Sequence, residues 1–507
     1  MIKSDEVHIT MTLQISSFTS DHAEFLSDES KRIGKADEIA FPVTESEVVE
    51  AVRSAYERKL PVITQGARTG IVAGAVPDGG LIINLRSMNK IESPVENSVV
   101  VQPGALLSDL HTALESARLF LGPDPTETSA SLGGMAACNA SGAMSFHYGA
   151  TRKWIESLRM VLADGDVVSI SRGECFAQGR SFSLTTESGR VISGQLPTYQ
   201  MPDVKSAAGY YVEDDMDLID LLIGSEGTLG IITEIKLRLI PRPKEINGLT
   251  LFMPDEKSAI ELVESARDMF AGSSPALVAI EFFNHDALKL LRAAKETNPA
   301  FEAIPVLKEH YHSAVYVEFH GDDADSLEEA VMGLMEQAME LGGSDEDTWF
   351  ATTDRELEPL KAFRHAIPEA VNLLIGERKR EIPELTKLGT DMSVPNGSLV
   401  IAMEMYNAGL AERGLESVIF GHIGNNHVHV NILPNNIDEY SIGRELYLGW
   451  ADKVVKMGGS VSAEHGIGRL KVPFLKMMYG DEAIGQMREL KKLFDPDGLL
   501  NSGIMFE

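Results

Sequence analysis

Thr64-Gln-Gly-Ala-Arg-Thr-Gly70, preceded by strand-like Leu60-Pro-Val-Ile-Thr64 and followed by Ile71-Val-Ala-Gly-Ala-Val-Pro-Asp-Gly-Gly80, is the stretch on which the first half turns. Successive backbone N–H groups in such a turn can cradle an anion, most usefully a pyrophosphate. A tight turn that needs glycine's positive φ explains the same residues without a ligand. The pattern is neither Gly-x-Gly-x-x-Gly nor a run ending in Gly-Lys-Ser/Thr, so neither a Rossmann site nor a P-loop is supported. Upstream, TESEVVEAVRSAYERK (44–59) reads as a helix; downstream, GGLIINL (79–85) reads as a strand. That order predicts an α/β unit. Strand-like VVVQPG (99–104) and SLRMVLADGDVVSI (157–170) are expected to extend the same sheet.

More small-residue loops follow closely: Gly122-Pro-Asp-Pro-Thr126, Ser131-Leu-Gly-Gly134, Asn139-Ala-Ser-Gly142 and Tyr148-Gly149. Small residues let backbone approach a flat ligand, so a long cofactor threaded through several loops fits best; a turn-rich fold is the alternative. Residues 171 to 215 mix Ser, Gly, Thr and acidic groups with little periodicity and read as an excursion from the domain. LIDLLIGSEGTLGIITEIKLRLIPRP (218–243) returns to core-like patterning and stops at Pro241 and Pro243, a domain edge. From Lys244, helix patterns such as DEKSAIELVESARDMF alternate with strand patterns such as ALVAIEFF and SAVYVEFHG, an α+β arrangement. The segment AIGQMRELKKLFDPDGLLNSG reads as a helix ended by an Asp-Pro-Asp-Gly turn, with a tail returning to the first domain.

A chain of 507 residues exceeds what one core usually organises. Its formal charge of -31 opposes nucleic-acid binding, which relies on Lys and Arg displacing counterions. The same charge repels anionic substrates at long range, so a carboxylate site needs its own concentrated positive charge or metal. Cys138 and Cys175 are the only cysteines, too few for a disulfide scaffold and without iron-sulfur spacing. No run approaches the length of a transmembrane segment, and the first residues carry no clear export signal. The expected location is cytoplasmic, or peripheral to a membrane.

Four of the thirteen histidines fall in two short runs, Gly421-His422-Ile-Gly-Asn-Asn-His427-Val-His429-Val-Asn431 and Ala463-Glu464-His465-Gly466. Gly-Asn-Asn predicts a hairpin, and alternation puts His427, His429 and Asn431 on one face of the returning strand. Two histidines and a carboxylate such as Glu464 can hold zinc, manganese or iron with positions left open for substrate. Strand histidines satisfied separately by hydrogen bonds account for the spacing equally well.

The runs PVITQGARTGIVAGAVPDGGLIINLRSMNKI, VQPGALLSDL, GPDPTETSASLGGMAACNASG, YGATRKWIESLRMVLADG and LLIGSEGTLGIIT together resemble the FAD-binding domain of vanillyl-alcohol-oxidase-type flavoproteins. GHIGNNHVHVNI and AEHGIG resemble the C-terminal signatures of FAD-linked D-2-hydroxyacid dehydrogenases, the group of D-lactate dehydrogenase and the glycolate oxidase flavin subunit. The resemblance implies an α+β chain: an N-terminal segment 1–40, a PCMH-type FAD-binding domain 41–243 with an insertion near 171–215, a C-terminal FAD-linked oxidase cap domain with a ferredoxin-like sheet at 244–490, and a returning tail 491–507. It assigns Gly66, Ala67, Arg68, Thr69 and Gly70 to the pyrophosphate. Pro125, Thr126, Gly133, Gly134, Asn139, Gly142, Glu226, Gly227, Ile231 and Asn501 are its other FAD contacts. Arg68 stands near where some members carry a flavin-linked histidine, so the FAD is expected to be non-covalent; Arg68 itself reads as a phosphate partner or as a solvated charge.

The resemblance further implies a divalent metal (Zn, Mn or Fe) on His422, His429 and Glu464, with His465 as base, Asn431 near the substrate and Arg364 on its carboxylate. The implied reaction oxidises a small D-2-hydroxy acid, D-lactate or glycolate, to the 2-oxo acid. The hairpin's usual Asp-Gly-Asn is Asn425-Asn426-His427 here, and Pro368 stands one turn after Arg364 where relatives acting on a longer dicarboxylate have a polar group. That makes 2-hydroxyglutarate less favoured. Electron-transferring flavoprotein, a quinone, a partner subunit and dioxygen are the candidate acceptors, and a homodimer is a candidate assembly. Oxidation of another alcohol within the same flavoprotein family, or electron transfer inside a larger complex, are the competing functions.

Overall fold

The computed structural model describes residues 13–507. The N-terminal expectation therefore lies partly outside the described residues. The helix Glu45–Arg58 starts where the Thr44 side chain accepts the Glu47 N–H, and stops at Lys59 in a left-handed conformation. It buries Val48, Ala51, Val52 and Ala55, a stripe at helical spacing, and carries the chain from strand Glu38–Ala40 to strand Val62–Gln65. These strands flank Leu81–Asn84 in parallel, and Ile15–Ser17 closes the edge, giving a four-stranded sheet.

The strands near 99–104 and 157–170 do not extend that sheet. Ser98–Val101, Ile155–Val161 and Val167–Ser171 form a separate four-stranded antiparallel sheet with Ile231–Arg238. Their patterning marks strands, but the central partner lies far along the chain. Residues 171 to 215 are also more ordered than their composition suggests. Ser181–Thr185 and Val191–Gln195 make a hairpin whose Phe182, Leu184 and Ile192 are buried, with Phe182 stacked on Phe494 at 6.2 Å.

After the short pairing of Ile240–Pro241 with Leu119–Phe120, the chain enters an eight-stranded sheet. Four of its strands run in the order Trp349–Ala351, Glu245–Met253, Ser313–Gly321, Ala276–Phe283, all antiparallel. With Glu256–Met269 and Ala324–Glu340 as connecting helices this is a ferredoxin-like unit. Ser417–Gly421, His427–Ile432 and Leu388–Gly389 extend it. Two helices, consecutive within Val472–Phe494 and separated by a kink at Gly480, lead back to the first sheet, where Val62 donates to Leu499 O and Asn501 donates to Val62 O. The α+β architecture is thus two small sheets with their loops on one side and a helix-covered antiparallel sheet on the other.

Candidate active site

Several loops of the first half converge. Ser131 Oγ caps the helix Leu132–Cys138 by accepting from Gly134 N and also accepts from Ala67 N, both at 3.3 Å. A side chain at Gly66 would collide with that hydroxyl, since its Cβ would lie 2.0 Å away. The Gly66–Gly70 turn therefore stands at a helix N-terminus, where N–H groups and the helix dipole favour an anion. Gly70 faces open space. Gly133 packs on Pro103, and Gly142 packs so closely on Asp124 O that only glycine fits there.

Asn139 ends the same helix with φ 50 and accepts Arg152 N at 2.9 Å. Ala137 O receives Glu226 N at 2.9 Å, and Asn501 Nδ2 donates to Glu226 O at 2.7 Å, beside Gly227. Arg68, Asn139, Glu226 and Asn501 all have positive φ. Such strain in non-glycine residues persists only where the surroundings over-determine it, and it clusters at ligand sites. Pro125 and Thr126 sit on the loop that crosses Gly142. Ile231 is fully buried in core between Val161 and Leu500.

Some of these side chains are already engaged. The Arg68 guanidinium bonds Glu24 at 3.1 Å and lies 4.4 Å over the Phe25 ring. The Glu226 carboxylate accepts Ile467 N and Gly468 N, each at 2.7 Å; burial pushes its carboxyl up to about 7 despite those bonds.

The histidines meet in the second half. Phe420 pairs with His429 across the hairpin, but the connection is a five-residue loop (422–426) with a 3-10 turn, longer than a tight Gly-Asn-Asn turn. His422, His427, His429 and Glu464 bring one ligand atom each within 4.8 Å of one another. His422 Nδ1 donates to Glu281 Oε1 at 2.7 Å, and His429 Nδ1 donates to Thr390 O at 2.9 Å. A carbonyl can only accept, so His429 Nδ1 carries a proton and Nε2 is the ring atom turned toward Glu464. The two Nε2 atoms lie 3.1 and 3.3 Å from Glu464 Oε1. Two imidazoles oriented from behind and one carboxylate form a donor set suited to a divalent cation.

The other oxygen, Glu464 Oε2, accepts from Lys205 Nζ at 2.7 Å and from Ser141 Oγ at 3.1 Å, which fixes the carboxylate's orientation. Burial would raise its pKa, but His422 and Lys205 hold it well below the usual range. Burial likewise disfavours a charged His422, yet Glu281 and Glu464 carry it up to about 9. His427 is fully buried, and among the described residues both its ring nitrogens lack a hydrogen-bond partner; Asp391 Oδ1 is 3.1 Å from Nε2 but off the bonding direction. Burial and the neighbouring His429 hold it neutral.

His465 stacks on His429 at 5.4 Å. Its Nδ1 is 3.3 Å from Asp391 Oδ2 and its Nε2 is 3.6 Å from Glu464 Oε1, with a side chain 28% exposed, the most open of the group. Asp391 is buried and also receives Lys471 Nζ at 2.6 Å and Ser462 Oγ at 2.8 Å. Asn431 is buried on the histidine strand with its Nδ2 3.4 Å from His429 O.

Arg364 lies on the helix Asp354–Glu381, where its Nη2 donates to Asp124 Oδ2 at 3.2 Å and to His365 Nε2 at 2.8 Å; among the described residues Nε has no partner. Burial opposes its charge, but Asp124 and then Glu281 hold its pKa above the usual value. Glu281 therefore acts on both the arginine and His422. Burial and Arg364 push His365 down to about 4, so it is neutral and accepts. Pro368 sits inside the helix and has no N–H to return to the Arg364 carbonyl.

Asp391, Glu281, Lys205 and Ser141 were not legible as site residues. Asp391, an isolated acid in the otherwise neutral run Leu388-Gly-Thr-Asp-Met-Ser-Val394, offered the only local signal.

Residues 242–505 match the model for the FAD linked oxidases, C-terminal domain, and residues 36–171 the model for an FAD binding domain. The chain belongs to the FAD-linked oxidase family. It is 31% identical to a D-lactate dehydrogenase from Anaerostipes hadrus, over 95% of this chain and 92% of that one. It is 28% identical to the glycolate oxidase subunit GlcD of Bacillus subtilis (strain 168), over 93% and 89%. A substrate-bound structure of p-cresol methylhydroxylase shares the fold with a TM-score of 0.70 at 16% identity, covering 96% of this chain and 93% of that one. The family makes the chain an FAD-linked oxidoreductase. No helix among the described residues is long and apolar enough to cross a membrane.

Proposed function

We propose that the chain oxidises a small D-2-hydroxy acid, D-lactate or glycolate, to the 2-oxo acid, with a divalent metal held by His422, His429 and Glu464. The observation that carries this is the pair of Nε2 atoms at 3.1 and 3.3 Å from Glu464 Oε1, each imidazole oriented by an acceptor behind it. When bound, FAD would supply the hydride acceptor and a metal would supply a Lewis acid that lowers the pKa of the substrate hydroxyl.

Arg364 binds the substrate carboxylate through its guanidinium, and its buried, unpartnered Nε is a free donor for that contact. Arg364, Lys205 and the metal meet the need for local positive charge in a chain of -31. His465 takes the hydroxyl proton at Nε2 while Asp391 fixes the other ring nitrogen. Asn431 borders the substrate. The two electrons removed from the substrate would leave to a separate acceptor, an electron-transferring flavoprotein, a quinone or a partner subunit.

The test is an anaerobic visible spectrum before and after D-lactate, with and without chelator. Bleaching that chelator prevents is expected. A flavin that D-lactate and glycolate both fail to reduce overturns the substrate, and bleaching indifferent to thorough metal removal overturns the metal's role.

A further inference from the structure

The base-bearing segment Ser462–Gly468 belongs to the second half of the chain but is fastened to both halves. On the cap side, Asp391 accepts Glu464 N at 3.3 Å and His465 N at 3.1 Å, and Ser462 Oγ closes the turn on Gly466 O at 2.6 Å. On the flavin side, Glu226 accepts Ile467 N and Gly468 N with one oxygen each, at 2.7 Å. Val72 O, on the loop that continues the Gly66–Gly70 turn, accepts Arg469 N at 3.0 Å and Leu470 N at 3.2 Å. The fit is tight: a Cβ on Gly466 would lie 3.0 Å from Glu226 Oε1, and one on Gly468 would lie 2.1 Å from Val72 O.

Glu226 is 6% exposed and has no cationic partner within salt-bridge distance among the described residues. A buried carboxylate without a cation is costly, and it persists where backbone N–H groups take the place of one. Both oxygens are used for a single purpose, gripping the two peptides that follow His465-Gly466.

We propose that Glu226 is a positioning residue for His465, a latch by which the flavin-side loops set where the base stands. The inference rests on His465 being the base. Because Glu226 and Val72 sit on two loops of the cofactor cradle, flavin binding and placement of the base are one coupled event. FAD that orders those loops also orders the turn carrying His465.

Glu226→Gln keeps the size but replaces one acceptor with an amide that faces a backbone N–H. In anaerobic stopped-flow with D-lactate, the limiting rate of flavin reduction in this variant is expected to fall at least tenfold. The substrate dissociation constant should stay within threefold and the flavin spectrum should be unchanged. Reduction at the wild-type rate overturns the latch, as does a variant that folds but no longer holds FAD. His465→Ala in parallel separates the two ideas: if it reduces flavin normally, the base assignment fails, whatever Glu226 does. The second measurement needs no variant. Amide exchange of residues 464–470 in the wild-type protein should quicken at least tenfold when FAD is stripped, with strand 276–283 unaffected; equal exchange in both forms overturns the proposal.

Discussion

Asp391 Oδ2 lies 3.3 Å from His465 Nδ1 while the same carboxylate accepts the His465 backbone N–H at 3.1 Å, so one buried acid fixes both the ring and the peptide of that histidine. A carboxylate on one imidazole nitrogen selects the tautomer and raises the basicity of the other. Asp391→Asn is therefore expected to slow flavin reduction about 10- to 100-fold. It also leaves Lys471 facing a neutral group, which costs about 3 kcal/mol of stability on the scale of broken buried pairs. Stopped-flow rates beside a urea melt check both parts; a full-rate variant would show that the ring needs no orienting partner.

His429→Ala removes one donor while leaving the cradle of the first half untouched. Metal content measured by mass spectrometry should fall from stoichiometric to near background, with the flavin spectrum retained. Wild-type metal content in this variant would move the ion elsewhere, His427 and Asp391 being the nearest alternative.

Arg364→Lys keeps the charge but loses the planar fork, so the fit to a carboxylate suffers more than the field. The Michaelis constant for D-lactate is expected to rise tenfold or more. Stability should change little, because Asp124 keeps a cationic neighbour. Unchanged steady-state kinetics would take Arg364 out of the substrate site.

Glu318 supplies a pH dependence with a definite sign. Burial alone would raise its pKa, but His320, 2.8 Å away, leads the groups that bring it down from 4.5 to about 2. The folded state thus prefers the ionised form. Its contribution is fully present above about pH 4.5 and is lost as pH falls toward about 2, amounting to about 3 kcal/mol at most. Urea denaturation of wild type and Glu318→Gln should differ by that order near neutrality and converge in acid. A gap that stays constant with pH would contradict the ionised assignment.

How much of this could be read from residue order depends on the range of the interaction. The histidine strand was legible because side chains alternate with a period of two, so His427 and His429 had to share a face. The sheet of the first half was misread because a strand pattern names no partner: Ser98–Val101 and Ile155–Val161 both pair with Ile231–Arg238, and that register appears only after folding. Glu281 could not be found either. It reaches His422 because Ala276–Phe283 pairs with Ser417–Gly421, and in sequence it is one acid in an apolar strand. Lys205 comes from a segment whose polar composition concealed an ordered path to Glu464.

Asn501 accepts Thr64 N at 2.9 Å and donates to Glu226 O at 2.7 Å, joining positions 437 residues apart. During synthesis, the strand that precedes the Gly66–Gly70 turn must therefore wait for residue 501 to leave the ribosome before its amide finds this partner.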